Sequence, residues 1–271
     1  VFENAKFFNM GGGGIISYAT NNYFRNIYSE NCLSHAIGFN NTENANITHF
    51  AYIDGHTSIN DKAYSIDFSG KKNPQKPLYA YPEYKWEGTA KNIFSKGSQY
   101  GIKTAGYWQL KLENVTIEDS ATNGFFINVD APGSVIEATN LTIKNPKGNA
   151  LNLDKQSHFI GRNVTIENAG VAIKALHTSI DIQGLKIKNS KSNGRGIRIG
   201  KDVPSCIIKD FSISGFSKIE EYPLRIKNSN TTLIDGKIYN NDAVSQILIQ
   251  EEAGKIKLNN IEIYDTRKNK V

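Results

Sequence analysis

The sequence has little methionine and cysteine and lacks any long apolar run. It contains one Met and two Cys, Cys32 and Cys206, and no stretch of 18 consecutive apolar residues. Two cysteines do not make the disulfide framework that stabilises small secreted domains. The missing apolar run excludes a membrane-spanning helix, and the five histidines show no spacing typical of a zinc site. Stability must therefore come from a packed core.

The charge balance is only modestly basic. Lys and Arg number 32 against 26 Asp and Glu, which gives a net charge of +6. Hydrophobic residues make up 39% of the chain, enough for a core and too many for a disordered protein. The small basic excess suits an acidic polymer without requiring one, and we expect no nucleic-acid partner.

What the sequence does contain is a repeat. A turn residue, always Asn, Gly or Asp, is followed by a short segment in which apolar and polar residues alternate. Apolar residues two positions apart indicate half-buried strands and exclude an amphipathic helix. Copies from residue 92 onward are 21 to 26 residues apart by subtraction, and they start at Asn92, Asn114, Asn140, Asn163, Gly184, Asp210, Gly236 and Asn260.

A period in the low twenties with three strand-like pieces is typical of one coil of a parallel β-helix. We therefore predict an all-β fold, a right-handed single-stranded parallel β-helix (a solenoid) of about ten coils with three parallel sheets. Residues 1–271 form a single domain in this interpretation. Asn, Gly and Asp tolerate a left-handed backbone, so they can form a sharp corner. Stacked Asn side chains at this corner are expected to bond backbone groups of neighbouring coils.

Residues 70–90 break the repeat with prolines, lysines and aromatic residues, and we predict a loop insertion there. Its aromatic residues include Tyr84 and Trp86. These rings are candidates for stacking on sugar rings from one side of the solenoid. The alternative is that they only close the loop onto the coil surface.

Neither end of the repeat carries an obvious cap, although solenoids need polar caps on their open ends. We therefore expect a piece of a longer chain, further domains that cover the ends, or a homotrimer. The chain starts at Val1 rather than Met, so a removed signal is compatible with an extracellular, cell-surface or virion location.

One face of the solenoid carries a denser strip of mixed charge than the others. This second face comprises residues 124–130, 150–154, 170–174, 196–200, 224–227 and 246–250. One expected outward column contains Asp67, Lys103, Phe126, Asn152, Ala172, Arg198, Arg225 and Leu248. The next contains Asn40, Ser69, Ala105, Asn128, Asp154, Lys174, Gly200, Lys227 and Gln250, and the adjoining turns contain Asp130, His177 and Asp202.

The second face is either an elongated groove for a polymer or a solvated surface. A flat solenoid face offers evenly spaced contacts, which suit a chain-like ligand. Under the groove hypothesis, the candidate substrate-binding residues are Asp67, Lys103, Asn128, Asn152, His177 and Lys227, with Tyr84 and Trp86 of the loop.

The repeat resembles the pectate-lyase-like superfamily of right-handed β-helices across nearly the whole chain. That superfamily holds polysaccharide lyases, glycoside hydrolases, uronan epimerases and phage tailspikes, and the resemblance implies a site on the second face. Two fragments, Asn152-Leu153-Asp154 and Arg225-Ile226-Lys227, resemble polygalacturonase-type motifs. The Asp pair and Gly-His-Gly that separate those motifs are absent, as is the Asp-Pro-His motif of epimerases. The individual family therefore stays open.

The sequence thus predicts a protein active on an acidic polysaccharide, as a lyase or a glycoside hydrolase. In β-elimination, the candidate bases and neutralisers of a uronate carboxylate are Lys103, Lys174, Arg198 and Arg225, and Asp130 and Asp154 could hold Ca²⁺. In hydrolysis, Asp130 and Asp154 on adjacent coils would lie ~8 Å apart, in the range of an inverting pair. The alternative is a non-catalytic glycan-binding or structural β-helix, such as a tailspike or adhesin.

Overall fold

The chain is all-β in the part that the structure describes. The structure is a computed structural model, and it describes residues 1–19, 21–40, 49–69, 86–106, 108–127, 134–189, 194–216, 222–227, 230–243, 245–250 and 255–264. These residues form a parallel solenoid of about nine turns with two main sheets. Among them there is no helix that is long and apolar enough to cross a membrane.

The two sheets run along the solenoid side by side. The long sheet has twelve strands: β1 (Phe2–Glu3), β2 (Lys6–Phe8), β4 (Asn21–Glu30), β6 (His49–Ile59), β8 (Trp86–Lys96), β10 (Trp108–Glu118), β12 (Ser134–Lys144), β14 (Ser157–Glu167), β16 (Ser179–Lys188), β18 (Cys206–Ser214), β20 (Thr231–Tyr239) and β22 (Ile256–Tyr264). The short sheet has ten: β3 (Ile15–Ser17), β5 (Ile37–Asn40), β7 (Tyr64–Ser69), β9 (Tyr100–Ala105), β11 (Asn123–Ile127), β13 (Asn149–Leu153), β15 (Val171–Ala175), β17 (Arg195–Ile199), β19 (Leu224–Ile226) and β21 (Ile247–Ile249).

The corner residue bends a strand without ending it, which is why two sheets replace the three that were predicted. Asn114 has a φ of 54° and lies inside β10. On either side of it, Glu113 pairs with Thr139 and Val115 pairs with Leu141, so the ladder continues past the bend. The predicted first and third faces are therefore two halves of the long sheet, and the second face is the short sheet. The prediction of about ten coils was one coil too high.

A ladder of side-chain amides joins the corners of successive coils. The Nδ2 of Asn114 donates to Oδ1 of Asn92 at 3.2 Å, Asn140 donates to Asn114 at 3.0 Å, and Asn163 donates to Asn140 at 3.2 Å. These bonds join side chain to side chain, whereas the sequence predicted bonds to the backbone. A primary amide both donates and accepts, so each Asn can bond the coil before it and the coil after it.

Where glycine occupies the corner, the preceding residue supplies the polar group. Asp54 precedes the corner Gly55, and its Oδ1 accepts a hydrogen bond from Asn92 at 2.9 Å. Gln183 precedes the corner Gly184, and its Nε2 donates to Oδ2 of Asp210 at 3.0 Å. The ladder therefore continues even though glycine has no side chain.

One late corner of the repeat differs from the prediction by one residue. Asp235, with a φ of 52°, is the corner, and not Gly236. A Cβ added to Gly236 would lie 2.1 Å from the ring of Phe211, so this glycine makes room for an aromatic side chain. The corner residues Asp210 and Asp235 are neighbours on adjacent coils, because the residues on either side of them are paired.

A second left-handed corner follows the first by five residues, and the sequence analysis missed it. Its members with a left-handed φ are Asn9, Asn31, Asn60, Gly97, Asp119, Asn145, Asn168, Gly215 and Asn240. It has amide bonds of its own, from Asn145 to Asp119 and from Asn168 to Asn145, both at 3.0 Å. The two corners hold the strand segment between them in the same orientation in every coil.

The interior is a stack of apolar side chains that becomes aromatic toward the N-terminal coils. Ile143 and Ile166 are fully buried. Trp86 was predicted to lie in the loop and to bind sugar, but it begins β8, is 5% exposed, and packs 4.7 Å from the ring centroid of Trp108. Its ring therefore belongs to the core. Residues 70–85, with Tyr84, lie outside the described residues.

The first coils also bury a polar network. Ser29, Ser58 and Ser95 occupy an inward column that continues as isoleucine in later coils. The carboxylate of Asp61 accepts hydrogen bonds from the hydroxyls of Ser29 at 2.7 Å and Ser58 at 2.6 Å, and from the backbone N–H of Cys32 at 2.8 Å. A buried carboxylate with three donors is well satisfied.

His56 is the buried titratable group beside this network. Its side chain is 1% exposed, and its Nδ1 lies 3.2 Å from the carbonyl oxygen of Ile27. Burial disfavours the charged imidazolium and lowers the pKa of His56 to about 4. His56 is therefore neutral in the folded protein at neutral pH.

Completing the amide ladder at residue 235 should stabilise the fold. Asp235 accepts from Asn260 at 2.7 Å but has no hydrogen to donate to Asp210, and the two exposed carboxylates repel each other. Asp235→Asn supplies the donor, so we expect the free energy of unfolding in urea to rise by about 0.5–1 kcal/mol. The matched control Asn140→Asp removes a donor and adds a charge, and it should lower stability. A loss of stability in Asp235→Asn would show that the ladder does not carry this energy.

Acid should destabilise the fold through His56. The unfolded chain binds a proton near pH 6.5 and the folded chain only near pH 4, so stability is lost as the pH falls between these values. The total contribution is about 3 kcal/mol. Replacement by isoleucine, the type of its neighbours Ile27 and Ile93 in the ladder, should remove this part of the pH dependence. Urea titrations between these pH values give the free energy of unfolding of the parent and of His56→Ile. The same dependence of this free energy on pH in both proteins would contradict the prediction.

Candidate functional site

The outward side chains of the short sheet form one continuous column. Its members are in direct register from β5 to β21, and they are Gly38, Asp67, Lys103, Phe126, Asn152, Lys174, Arg198, Arg225 and Leu248. The sequence analysis placed Ala172 in this column and Lys174 in the next, which was wrong. Ala172 is buried, and Lys174 pairs with both Asn152 and Arg198.

The corrected register brings three cations together. Lys174, Arg198 and Arg225 lie on three successive strands, β15, β17 and β19, and we call them the cation column. Neighbouring parallel strands are ~4.8 Å apart, so like charges in such a column repel one another. All three side chains are partly exposed, and the Nε of Arg225 donates to Oε1 of Gln250 at 3.0 Å.

A histidine between two carboxylates lies in the turns that follow these strands. The Nδ1 of His177 is 2.8 Å from the backbone oxygen of Asp154 and 3.5 Å from its Oδ1. The Nε2 is 3.9 Å from Oδ2 of Asp202. Asp154 follows β13, His177 follows β15 and Asp202 follows β17, so the three residues come from consecutive coils. We call them the Asp–His–Asp cluster.

The N-terminal half of the same column is already neutralised. Asp67 is 3% exposed, and its Oδ2 lies 3.4 Å from Nζ of Lys103, whose side chain is 12% exposed. Lys103 also donates to Ser69 at 3.3 Å and lies 4.5 Å above the ring of Tyr64. Lys103 thus compensates a buried carboxylate, and three further cations of the same column, Lys174, Arg198 and Arg225, form the cation column.

His35 covers this buried pair. Its Nε2 is 3.8 Å from Oδ2 of Asp67. Desolvation lowers the pKa of His35, and the nearby Lys103 acts in the same direction, while Asp67 partly opposes them. His35 is therefore neutral at neutral pH and adds no cation to the face.

Aromatic rings lie beside the N-terminal half of the column. The ring centroids of His35 and Tyr64 are 5.1 Å apart, those of Tyr64 and Tyr100 are 5.1 Å apart, and those of Tyr100 and Phe126 are 5.6 Å apart. Since the last two pairs are stacked, the rings cover one another's faces and turn their edges outward. Sugar rings stack on aromatic faces, so this row contributes to stability more than to sugar binding.

The remaining predicted site residues are distributed around this region. Lys227 follows β19 and is partly exposed, and its backbone N–H donates to Ile199 at 3.0 Å. Asn152 belongs to the column and is buried. Asn128, Asp130 and Tyr84 lie outside the described residues, so the predicted carboxylate pair of Asp130 and Asp154 cannot be placed.

The described residues also form a surface recess, and their possible metal ligands can be compared with a metal site. A shallow recess of about 530 Å³ is lined by Pro204, Ser205, Ile207, Asn230, Thr232, Lys255, Ile256 and Lys257. It lacks members of the cation column and of the Asp–His–Asp cluster, and nothing in its lining suggests chemistry. No group of three or more His, Cys, Asp or Glu side chains in the described ranges is arranged to hold a metal ion.

The sequence pointed to most of the residues described above but did not show which of them lie next to one another. The cluster could have been found from its spacing. Asp154 and His177 are 23 residues apart and His177 and Asp202 are 25 apart by subtraction, and each spacing equals about one coil of the repeat. Tyr64 and Tyr100 gave no comparable signal, because the turns before them vary in length.

No family model, curated protein or solved structure matches this chain. The arrangement of the short sheet therefore has to carry the functional inference by itself, through the charges and contacts described above.

The two lysines of the column should differ sharply in their effect on stability. Lys103→Met leaves the carboxylate of Asp67 buried without its partner, so we expect the free energy of unfolding to fall by about 3 kcal/mol. Lys174→Met removes one of three stacked like charges, and it should leave stability unchanged or slightly higher. Chemical denaturation measures both. Equal losses in the two variants would mean that Lys174 is compensated as Lys103 is.

Proposed function

We propose that the outer face of the short sheet binds an acidic polysaccharide and that the protein acts on it as a lyase or glycoside hydrolase. The observation that carries this proposal is the cation column, in which Lys174, Arg198 and Arg225 are in direct register on adjacent strands. Its three side chains are partly exposed, and the column runs along the solenoid axis, which is the direction in which an extended chain could lie.

The cation column lies on the side of the short sheet that faces away from the core. Its side chains point away from the core, whose inward positions are filled by Ile173, Ile197 and Leu224. Stacked like charges destabilise a sheet unless counter-charges offset them. Carboxylate or sulfate groups on successive sugars supply such counter-charges, and Arg in particular binds carboxylates through paired hydrogen bonds.

The polar groups around the column extend the surface on both sides. Asn152 precedes it in register, and Gln250 contacts Arg225 at its C-terminal end. Amide groups of this kind bond sugar hydroxyls as donors and as acceptors. The location on this face agrees with the site position that resemblance to the pectate-lyase-like superfamily implies, and that fold-level analogy supports the proposal only as analogy.

The second candidate is a non-catalytic glycan-binding or structural solenoid. The same cation column favours it, because binding needs no reactive group. The two candidates differ only in whether the glycan is cleaved, so a digest of several glycans separates them. A lyase releases unsaturated uronate, a hydrolase releases reducing ends without unsaturated uronate, and a non-catalytic binder releases neither.

Single replacements in the cation column should weaken binding without harming the fold. We expect Lys174→Ala, Arg198→Ala and Arg225→Ala each to weaken binding to polygalacturonate or alginate by about tenfold or more, because charge-assisted bonds contribute about 1.5–3 kcal/mol. Binding of the parent should also weaken with added salt. Calorimetric titration gives the affinities, and denaturation gives the stabilities.

Lys186→Ala is the matched control. Lys186 is an exposed lysine on the outer side of the long sheet, in register with Thr165 and Ser212. Its replacement should leave affinity unchanged. If it weakened binding as much as the column variants do, the ligand would respond only to net charge, and the proposed face would be wrong.

A further inference from the structure

We propose that His177 is the acid–base residue of this face and that the reaction is a β-elimination on a uronate sugar. This inference rests on the proposed binding of an acidic polysaccharide to the cation column. It differs from the expectation of the sequence, which assigned proton removal to Lys or Arg and treated His177 as a binding residue.

The contacts of His177 fix which ring nitrogen carries the hydrogen. A backbone carbonyl only accepts, so Nδ1 must donate its N–H to the oxygen of Asp154 at 2.8 Å. The carboxylate of Asp154, 3.5 Å from the same nitrogen, favours this arrangement. In a neutral imidazole the other nitrogen is then an acceptor, so Nε2 presents its lone pair.

The lone pair of Nε2 is accessible. The His177 side chain is 44% exposed, and its Nε2 lies 3.9 Å from Oδ2 of Asp202, which is too far for a hydrogen bond. When Nε2 takes a proton, the resulting imidazolium lies beside the carboxylates of Asp154 and Asp202. The cluster therefore offers a nitrogen that can accept a proton from a bound ligand.

The cation column lies next to the cluster on the same coils. His177 follows Lys174 by three residues, and Asp202 follows Arg198 by four. At ~3.3 Å per residue, the Cα of His177 is at most roughly 10 Å from the Cα of Lys174. A uronate carboxylate bound by Lys174 and Arg198 thus brings its own sugar ring, and the carbon that bears the carboxylate, toward His177.

The reaction balances with the groups that are present. The proton on C5, next to the carboxylate, passes to Nε2, and the cations counter the negative charge that develops on the carboxylate. The electron pair of the C–H bond forms the C4=C5 double bond while the bond from C4 to the glycosidic oxygen breaks. That oxygen takes the proton back from the imidazolium. The products are a chain with a free hydroxyl and a chain that ends in an unsaturated uronate, and no oxidant, reductant or water is consumed.

Among the residues that the structure describes, the carboxylates of the Asp–His–Asp cluster favour elimination over hydrolysis. Hydrolysis needs two carboxyl groups that face the glycosidic bond from its two sides. Asp154 and Asp202 instead face the two nitrogens of one imidazole. They orient and stabilise the ring, so Asp154 is a positioning residue in this mechanism.

Replacement of His177 separates chemistry from binding. His177→Ala should lower kcat on polygalacturonate or alginate by about 10²–10⁴-fold, while the affinity for the same polymer changes by less than about threefold. Free imidazole added to the variant should restore part of the lost rate. Asp154→Asn should lower kcat more than it changes KM. Absorbance of the unsaturated uronate gives the rates, and calorimetry gives the affinities.

His158→Ala is the control, since His158 lies on β14 of the long sheet in register with Ser179. The kcat and the polymer affinity of His158→Ala should equal those of the parent. The mechanism would be overturned if His177→Ala had the same kcat as the parent. It would also be overturned if the parent released reducing ends without the unsaturated product. A parent that binds the polymer but does not turn it over would overturn it too and leave the non-catalytic binder. A parent that binds no acidic polymer would instead refute the proposed function itself.

Discussion

The side-chain amide bond between corners of successive coils is the contact on which this solenoid depends. A parallel ladder of strands persists only if each coil turns at the same place as the one before it. The left-handed residues at the two corners set that place, and the amide bonds of Asn114, Asn140 and Asn163 hold it from coil to coil. Because the corners coincide, side chains of different coils form columns, and without columns there would be no cationic strip.

The repeat made the fold predictable, but the same corners limited how far sequence reasoning could go. Alternating apolar residues after Asn or Asp predicted the strands, whereas nothing in the pattern showed that a left-handed residue bends a ladder without breaking it. The turns between corner and short sheet vary in length, so counting cannot fix the register there. A slip of two residues placed Ala172 where Lys174 stands, and it hid the direct register of three cations on adjacent strands. Contacts such as the one between His177 and the oxygen of Asp154 need coordinates.

The charged residues in the outer column of the short sheet are arranged differently in its two halves. Toward the N-terminus, Lys103 lies against Asp67 and over the ring of Tyr64, so the charge serves the fold. Toward the C-terminus, Lys174, Arg198 and Arg225 repeat one sign of charge near the surface. A solenoid can change from one arrangement to the other because each coil contacts only its neighbours. Stability and recognition are thereby assigned to different coils.

The corner ladder has a consequence for how this protein is produced. Asn114, Asn140 and Asn163 are each followed by a residue and then Thr, which is also the acceptor sequence for N-linked glycosylation. The nitrogen that an oligosaccharyltransferase would modify is the Nδ2 that donates to the preceding coil. A glycan attached before folding would place a branched sugar between coils ~4.8 Å apart. Choosing an expression host that leaves these sequons untouched is therefore a condition for closing the coils.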